Sequence, residues 1–245
     1  MAMEAYYGLS TNIMKIKVIA FDADDTLWVD DSYFKEFERQ IGELLKEYIT
    51  EYRFSIEINA TDSKNLPIYG YGIKPYILSM IETALRVSNK KCDVDIIDKI
   101  ILLGKEFLQK PIELVEGVEN VLNTLQEQYK LVLVTKGELF DQEQKLSRSL
   151  IGHYFHHVEI MSNKNEANYN RLIKYLDIKP DQFLMIGDSF KFDAQPVLDI
   201  GGYSFLIPPL TQYKTDTFKH DFKHSKLKVF QNLQAVLPYL IKQSS

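Results

Sequence analysis

Five short apolar runs constrain the fold of this chain more than any other feature. They are Ile16–Phe21, Leu131–Val134, His157–Met161, Phe183–Ile186 and Ser204–Ile207. Each is rich in Val, Ile, Leu or Phe, and each falls short of the roughly ten residues a helix of useful length needs. Helical spacing separates most of them, with Val118, Val121, Leu122 and Leu125 in one segment and Tyr169, Leu172, Ile173 and Leu176 in another. Continuously apolar strands alternating with helices predict an α/β fold around a parallel sheet buried on both faces.

One gap breaks the alternation. From residue 29 to about residue 114 there is no buried strand. Tyr33, Phe34, Phe37, Ile41, Leu44, Leu45, Tyr48, Ile49 and Tyr52 follow the i, i+3, i+4, i+7 spacing of one amphipathic helix. Ile77, Met80, Ile81, Ala84 and Leu85 predict a second, and Ile96, Ile97, Ile100, Ile101 and Phe107 a third. Turn formers and aromatics between Asn59 and Gly72 predict a loop between helices. A crossover between parallel strands needs only about a dozen residues. The expected organisation is therefore a Rossmannoid core from residues 1–28 and 115–245, with a helical domain, residues 29–114, inserted into it.

Composition narrows the classes. The chain has 245 residues, 34 acidic and 29 basic, for a net charge of −5. A net-acidic chain lacks the concentrated basic surface that general nucleic-acid binding requires. The single cysteine, Cys92, cannot form an intrachain disulfide or a cysteine-cage zinc site, and no histidine near it in sequence marks it as a nucleophile. No apolar run approaches the roughly 18 residues of a membrane span. The first residues lack the basic start and apolar stretch of a secretory signal, so the expectation is a cytoplasmic protein.

In open α/β sheets, ligands bind beyond the carboxyl ends of the strands. After the first run come Asp22-Ala23-Asp24-Asp25-Thr26-Leu27-Trp28, and after the second Thr135-Lys136-Gly137. Lys164 follows the third shortly, and Gly187-Asp188-Ser189-Phe190-Lys191-Phe192-Asp193 follows the fourth. Two like charges about 4 Å apart repel by roughly 4 kcal/mol at an effective dielectric of about 20. Convergence of Asp22, Asp24, Asp188 and Asp193 thus demands a cation. All-oxygen ligands favour a hard divalent ion, and Mg2+ is the one that shares its shell with waters and a phosphate. The Thr135 hydroxyl and the amides after it suit phosphate oxygens. The ensemble is that of a phosphoryl site with a carboxylate nucleophile.

Asp-Ala-Asp-Asp-Thr after an apolar strand, Leu-Val-Leu-Val-Thr, a later lysine, and Gly-Asp-Ser-Phe-Lys-Phe-Asp together resemble the four motifs of the haloacid dehalogenase superfamily. The likeness runs from Ile16 to about Pro208. The helical insertion after the first motif resembles the cap of the superfamily's phosphoglycolate-phosphatase-like branch. The resemblance implies that Asp22 is the nucleophile of an aspartyl-phosphate intermediate, and that Asp24 is the general acid/base and offers its backbone carbonyl to magnesium. It implies that Thr135 and Lys164 hold the phosphoryl group, that Asp188 ligates the metal, and that Asp193 orients a metal-bound water or the lysine. Lys136 stands where the superfamily more usually has a small or amide residue, so it points either to solvent or to substrate. Dehalogenases of the superfamily lack the second acid, because a departing halide needs no proton, so Asp24 favours a phosphate ester.

Other features carry weaker signals. Tyr69, Tyr71 and Lys74, in and beside Tyr69-Gly70-Tyr71-Gly72, are nominated as contacts to the leaving group, against a plain helix connection. Trp28 either closes over substrate or packs at the hinge of the insertion. His153, His156 and His157 lack a full zinc set, and His220 and His224 sit in a polar segment. The expected activity is magnesium-dependent hydrolysis of a small phosphorylated metabolite by a monomer or homodimer, with no nucleic acid or membrane partner. The alternatives are a phosphomutase on the same core and a silent binding module.

Overall fold

The computed structural model describes residues 15–207 and 223–241. The first strand, β1 (Val18–Phe21), is buried along its whole length. Four helices follow: α1 (Asp31–Leu44), α2 (Glu51–Tyr69), α3 (Ile73–Val87) and α4 (Val94–Gln109). The α/β alternation then resumes with α5 (Val118–Gln126), β2 (Lys130–Lys136), α6 (Leu139–Ser149), β3 (His157–Met161), α7 (Glu166–Tyr175) and β4 (Phe183–Gly187). Beyond β4 come α8 (Gln195–Asp199), β5 (Tyr203–Leu206), β6 (Leu227–Val229) and α9 (Leu237–Leu240).

The described strands form one six-stranded sheet in the order β3-β2-β1-β4-β5-β6. Every neighbouring pair is parallel. β1 has β2 on one side and β4 on the other, so the strand order reverses at β1. That reversal opens a crevice at its carboxyl end. Alternate residues of the central strands serve opposite faces. Val18, Ala20, Val132, Val134, Phe183 and Met185 pack with Tyr169, Leu172 and Ile173 of α7. The edge strand β6 was not expected, since three residues at partial exposure carry no readable period.

The chain divides into two compact units. One holds the sheet and takes in Glu113–Lys136, while the other comprises Asp30–Ile112 and Gly137–Lys145. The helical unit has its own core, including Phe37, Ile41, Phe54, Ile58, Met80, Ala84, Ile100 and Phe107. Residues 137–145 were expected in the core but belong to the helical unit. Two ion pairs account for this. Lys145 Nζ donates to Asp30 Oδ1 at 2.8 Å with both side chains buried, and Lys74 Nζ lies 2.7 Å from Glu138 Oε2.

Two helix expectations need correcting. The single helix through Tyr52 is interrupted after Leu44, and Thr50, in extended backbone, precedes a new helix that packs back on α1. The expected loop over Asn59–Gly72 is instead most of α2, and only Gly70–Gly72 lies between the helices. The helix escaped detection because its packed face is partly polar. Asn65 donates to Ser79 Oγ (3.2 Å) and Glu82 (3.0 Å), Ser79 Oγ to Asp62 (3.2 Å), and Thr83 Oγ1 to Thr61 Oγ1 (3.0 Å). These turn-forming residue types satisfy one another across α2 and α3, so burial proceeds without an apolar stripe.

Candidate active site

The site is built at the carboxyl ends of β1, β2, β3 and β4. β1 runs into a tight turn in which the amides of Thr26, Leu27 and Trp28 converge on the Ala23 carbonyl at 3.3, 2.8 and 3.2 Å. Asp25 adopts a left-handed φ of 60° there, and its N–H donates to the Trp28 carbonyl at 2.7 Å. Asp is one of the few residues that tolerates this conformation at modest cost. The turn returns the chain so that Trp28 Nε1–H donates to Asp24 Oδ1 at 2.7 Å.

Asp22 is buried, and its backbone N–H donates to the Ile186 carbonyl of β4 at 2.8 Å. Lys164, also buried, reaches in from beyond β3. Its ammonium donates to Asp193 Oδ1 at 2.6 Å and to Asp22 Oδ1. Asp193 lies on a single π-helical turn, Phe190–Ala194. The Ser189 amide holds Asp193 Oδ2 at 3.0 Å, and Tyr169 Oη, from α7, donates to the Phe192 carbonyl at 3.0 Å. Gly187 makes the turn possible, because a Cβ there would meet Asp193 Oδ2 and Cβ at 2.5 and 2.7 Å. Oxygens of Asp22, Asp188 and Asp193 lie within 4.8 Å of one another. Asp24 stands apart from that group, its carboxylate turned to Trp28.

Three carboxylates thus face one ammonium. Burial pushes the Asp22 carboxyl up to about 7, with Lys164 opposing and Asp193 adding to the rise. Burial, then Asp22, holds Asp188 well above the carboxylate range. Burial works against the Lys164 charge, but Asp193 and Asp22 outweigh it and keep the ammonium protonated. Without a further cation the cluster is over-supplied with negative charge. The donors of Asp22, Asp188 and Asp193 are all oxygen, which fits a hard divalent ion better than a softer metal that prefers nitrogen or sulfur.

Thr135 is buried at the end of β2. Lys136 places its ammonium 3.4 Å from the centroid of the Phe192 ring, and burial, then Lys164, lowers it to about 8. Gly137 belongs to the helical unit. The three residues nominated from the insertion have different surroundings. Tyr69 Oη donates to Glu82 at 2.7 Å, and Lys74 pairs with Glu138. Tyr71 lines a cavity of about 890 Å³ within the helical unit, with Phe34, Glu38, Asp62 and Tyr76. Among the described residues the histidines do not gather. His153 Nδ1 lies 2.9 Å from the Leu150 carbonyl, His156 Nδ1 accepts from the Leu131 N–H, and His157 pairs with Glu159. His220 lies outside the described residues. Sequence reasoning missed the roles of Tyr169 and Phe192. Tyr169 reads as one more apolar position of a helix, and Phe192 as filler between two aspartates.

The profile described as haloacid dehalogenase-like hydrolase matches residues 16–201. The chain belongs to this family. A haloacid dehalogenase-like hydrolase from Xanthomonas campestris is 32% identical, with a TM-score of 0.81 over 91% of this chain and 89% of that one. Two more distant structures share the fold. A 2-haloacid dehalogenase from Pseudomonas syringae has 14% identity and a TM-score of 0.62, covering 92% and 97% of the two chains. A predicted phosphoglycolate phosphatase from Haemophilus somnus has 18% identity and a TM-score of 0.58, covering 91% and 97%. No curated protein matches. Relatives of both chemistries share the fold, so the choice of reaction rests on side chains. Among the described residues no helix is long and apolar enough to cross a membrane.

Proposed function

We propose that this hydrolase is a magnesium-dependent phosphatase of small phosphate monoesters, working through an aspartyl-phosphate on Asp22. The observation that carries the reading is Asp24, a second carboxylate two residues past Asp22 of the buried Asp22–Lys164–Asp193 cluster. A carbon–halogen bond releases halide, which needs no proton. A phosphate ester releases an alkoxide, which does.

The steps follow from the residues. The Asp22 carboxylate attacks phosphorus, the ester P–O bond breaks, and Asp24 gives its proton to the leaving oxygen. A water then attacks the phosphorus of the aspartyl-phosphate and gives its proton to Asp24, which releases inorganic phosphate and restores the Asp22 carboxylate. Thr135 and Lys164 hold the phosphoryl oxygens through both steps, and Asp193 keeps the Lys164 ammonium in place. A magnesium ion held by the Asp22 and Asp188 carboxylates would supply charge neutralisation for the phosphoryl oxygens and for the carboxylates themselves. Lys136, close to the same charges, is offered as a further contact to the transferred group.

The test is phosphate release across sugar phosphates, nucleotides, phosphoglycolate and phosphoamino acids, with magnesium and with chelator. Magnesium-dependent release that disappears in a folded Asp22→Asn variant is expected. Uncatalysed monoester hydrolysis is so slow that loss of the nucleophile should leave no measurable turnover. Wild-type-like turnover in that variant, or release of halide but never phosphate, overturns the reading. An isomeric sugar phosphate in place of inorganic phosphate would identify a mutase.

A further inference from the structure

We infer that Trp28 is a positioning residue for the proton-transfer carboxylate, and that its indole N–H fixes the orientation in which Asp24 works. The inference rests on the phosphatase reading above.

Trp28 is fully buried, and its Nε1–H donates to Asp24 Oδ1 at 2.7 Å. A buried indole N–H needs an acceptor, and any carbonyl of the turn would satisfy that need. Two of the turn's carbonyls are engaged: Ala23 accepts three amides, and Trp28's own carbonyl accepts from Asp25. The indole donates instead to the side chain that must move a proton. A carboxylate on two soft torsions has several rotamers. Proton transfer needs its oxygen within hydrogen-bond reach of the leaving oxygen and then of water, and a misplacement of about 1 Å costs roughly a hundredfold in rate. One short, part-buried hydrogen bond to a fully buried indole removes most of that freedom.

The indole is itself well anchored. Trp28 forms a backbone bridge with Leu114, flanked by Val29 N–H to the Glu113 carbonyl and Val115 N–H to the Leu27 carbonyl, both 2.9 Å. The outgoing and returning connections of the insertion are thus paired at this residue. The geometry of the acid/base is set by the segment that carries the chain out of the sheet unit and back.

Trp28 is the chain's only tryptophan. Growth on β-(3-benzothienyl)alanine in a tryptophan auxotroph therefore replaces this one N–H by sulfur and keeps the fused ring. Trp28→Phe is the second variant, which loses the N–H and some bulk. Each is assayed with magnesium on an alkyl and an activated aryl phosphate, alone and combined with Asp24→Asn. We expect kcat for the alkyl ester to fall roughly tenfold or more, with KM within about twofold, and the burst phase of the aryl ester to change less. In the Asp24→Asn background the same replacements should add nothing, since there is no proton transfer left to position. Unchanged kcat in the benzothienyl protein, or losses that add in full to those of Asp24→Asn, overturn the inference while the phosphatase reading stands. A wild-type protein that hydrolyses no ester overturns both.

Discussion

At Asp22 the chemistry and the stability of the protein are linked. The folded carboxyl, held near 7 by burial, sits above its ordinary 3.8. Between those values the folded state keeps a proton that the unfolded chain has released. Metal-free stability therefore falls as pH rises through that window. On the proposed reading magnesium binds the ionised carboxylates, so it should stabilise the protein more at pH 8 than at pH 6. At a free concentration about a hundredfold above Kd the gain is about 2.7 kcal/mol, worth several degrees in Tm. Melting curves with magnesium and with chelator at the two pH values check this. A larger magnesium shift at pH 6 would contradict the placement of the ion on Asp22 and Asp188.

Among the elements, the turn after β4 carries a tight constraint beside the candidate site. Asp193 is brought over Gly187 by a π-helical turn, with no room for a Cβ. Gly187→Ala should cost about 1–3 kcal/mol from overpacking and loosen the Asp193–Lys164 pair. It should lower Tm and kcat together. Gly104→Ala is the control. A Cβ there would meet Ile77 Cδ1 and Cγ1 at 2.3 and 2.7 Å, so it too should lower Tm, but it should leave kcat unchanged because it does not touch Asp193. A Gly187→Ala enzyme with normal kcat would show that Asp193 does not depend on this close approach. At the same scale, Asn65→Ala should loosen α2 from α3 by about 1–3 kcal/mol, because it strips a donor from a buried polar face. Hydrogen exchange in those two helices measures it.

For the whole molecule, the question is what the helical unit does for a reaction carried by the sheet unit. Its two connections leave and return beside Asp24, and Gly137, directly after Thr135 and Lys136, opens its second segment. We expect this unit to select the leaving group and to exclude bulk water from the aspartyl-phosphate, with Tyr71 and Lys74 as contacts. Tyr71→Ala and Lys74→Ala should then alter kcat/KM ratios among substrates while sparing a small generic ester. Equal losses on all substrates would remove them from that role. Tyr69 is the weaker nominee, since its hydroxyl is already engaged by Glu82.

The sheet, its parallel sense and the position of the motif residues at the strand ends were legible in the sequence. Apolar runs such as Leu131–Val134 report burial directly, and a parallel sheet gathers every strand's carboxyl end at one edge. Asp22, Lys164 and Asp188 could therefore be brought together from their place after each strand. What the sequence could not show was decided by contacts between distant or differently turned residues. The α2 helix hid behind a polar interface whose hydrogen bonds exist only once α3 is beside it. The transfer of residues 137–145 to the helical unit depends on Lys145 meeting Asp30, which lies 115 residues away along the chain. The attachment of Asp24 to Trp28 spans four residues, yet it needed the fold as well. Only the turn closed by the Ala23 carbonyl and the pairing with Leu114 aim the indole at a carboxylate rather than into a core.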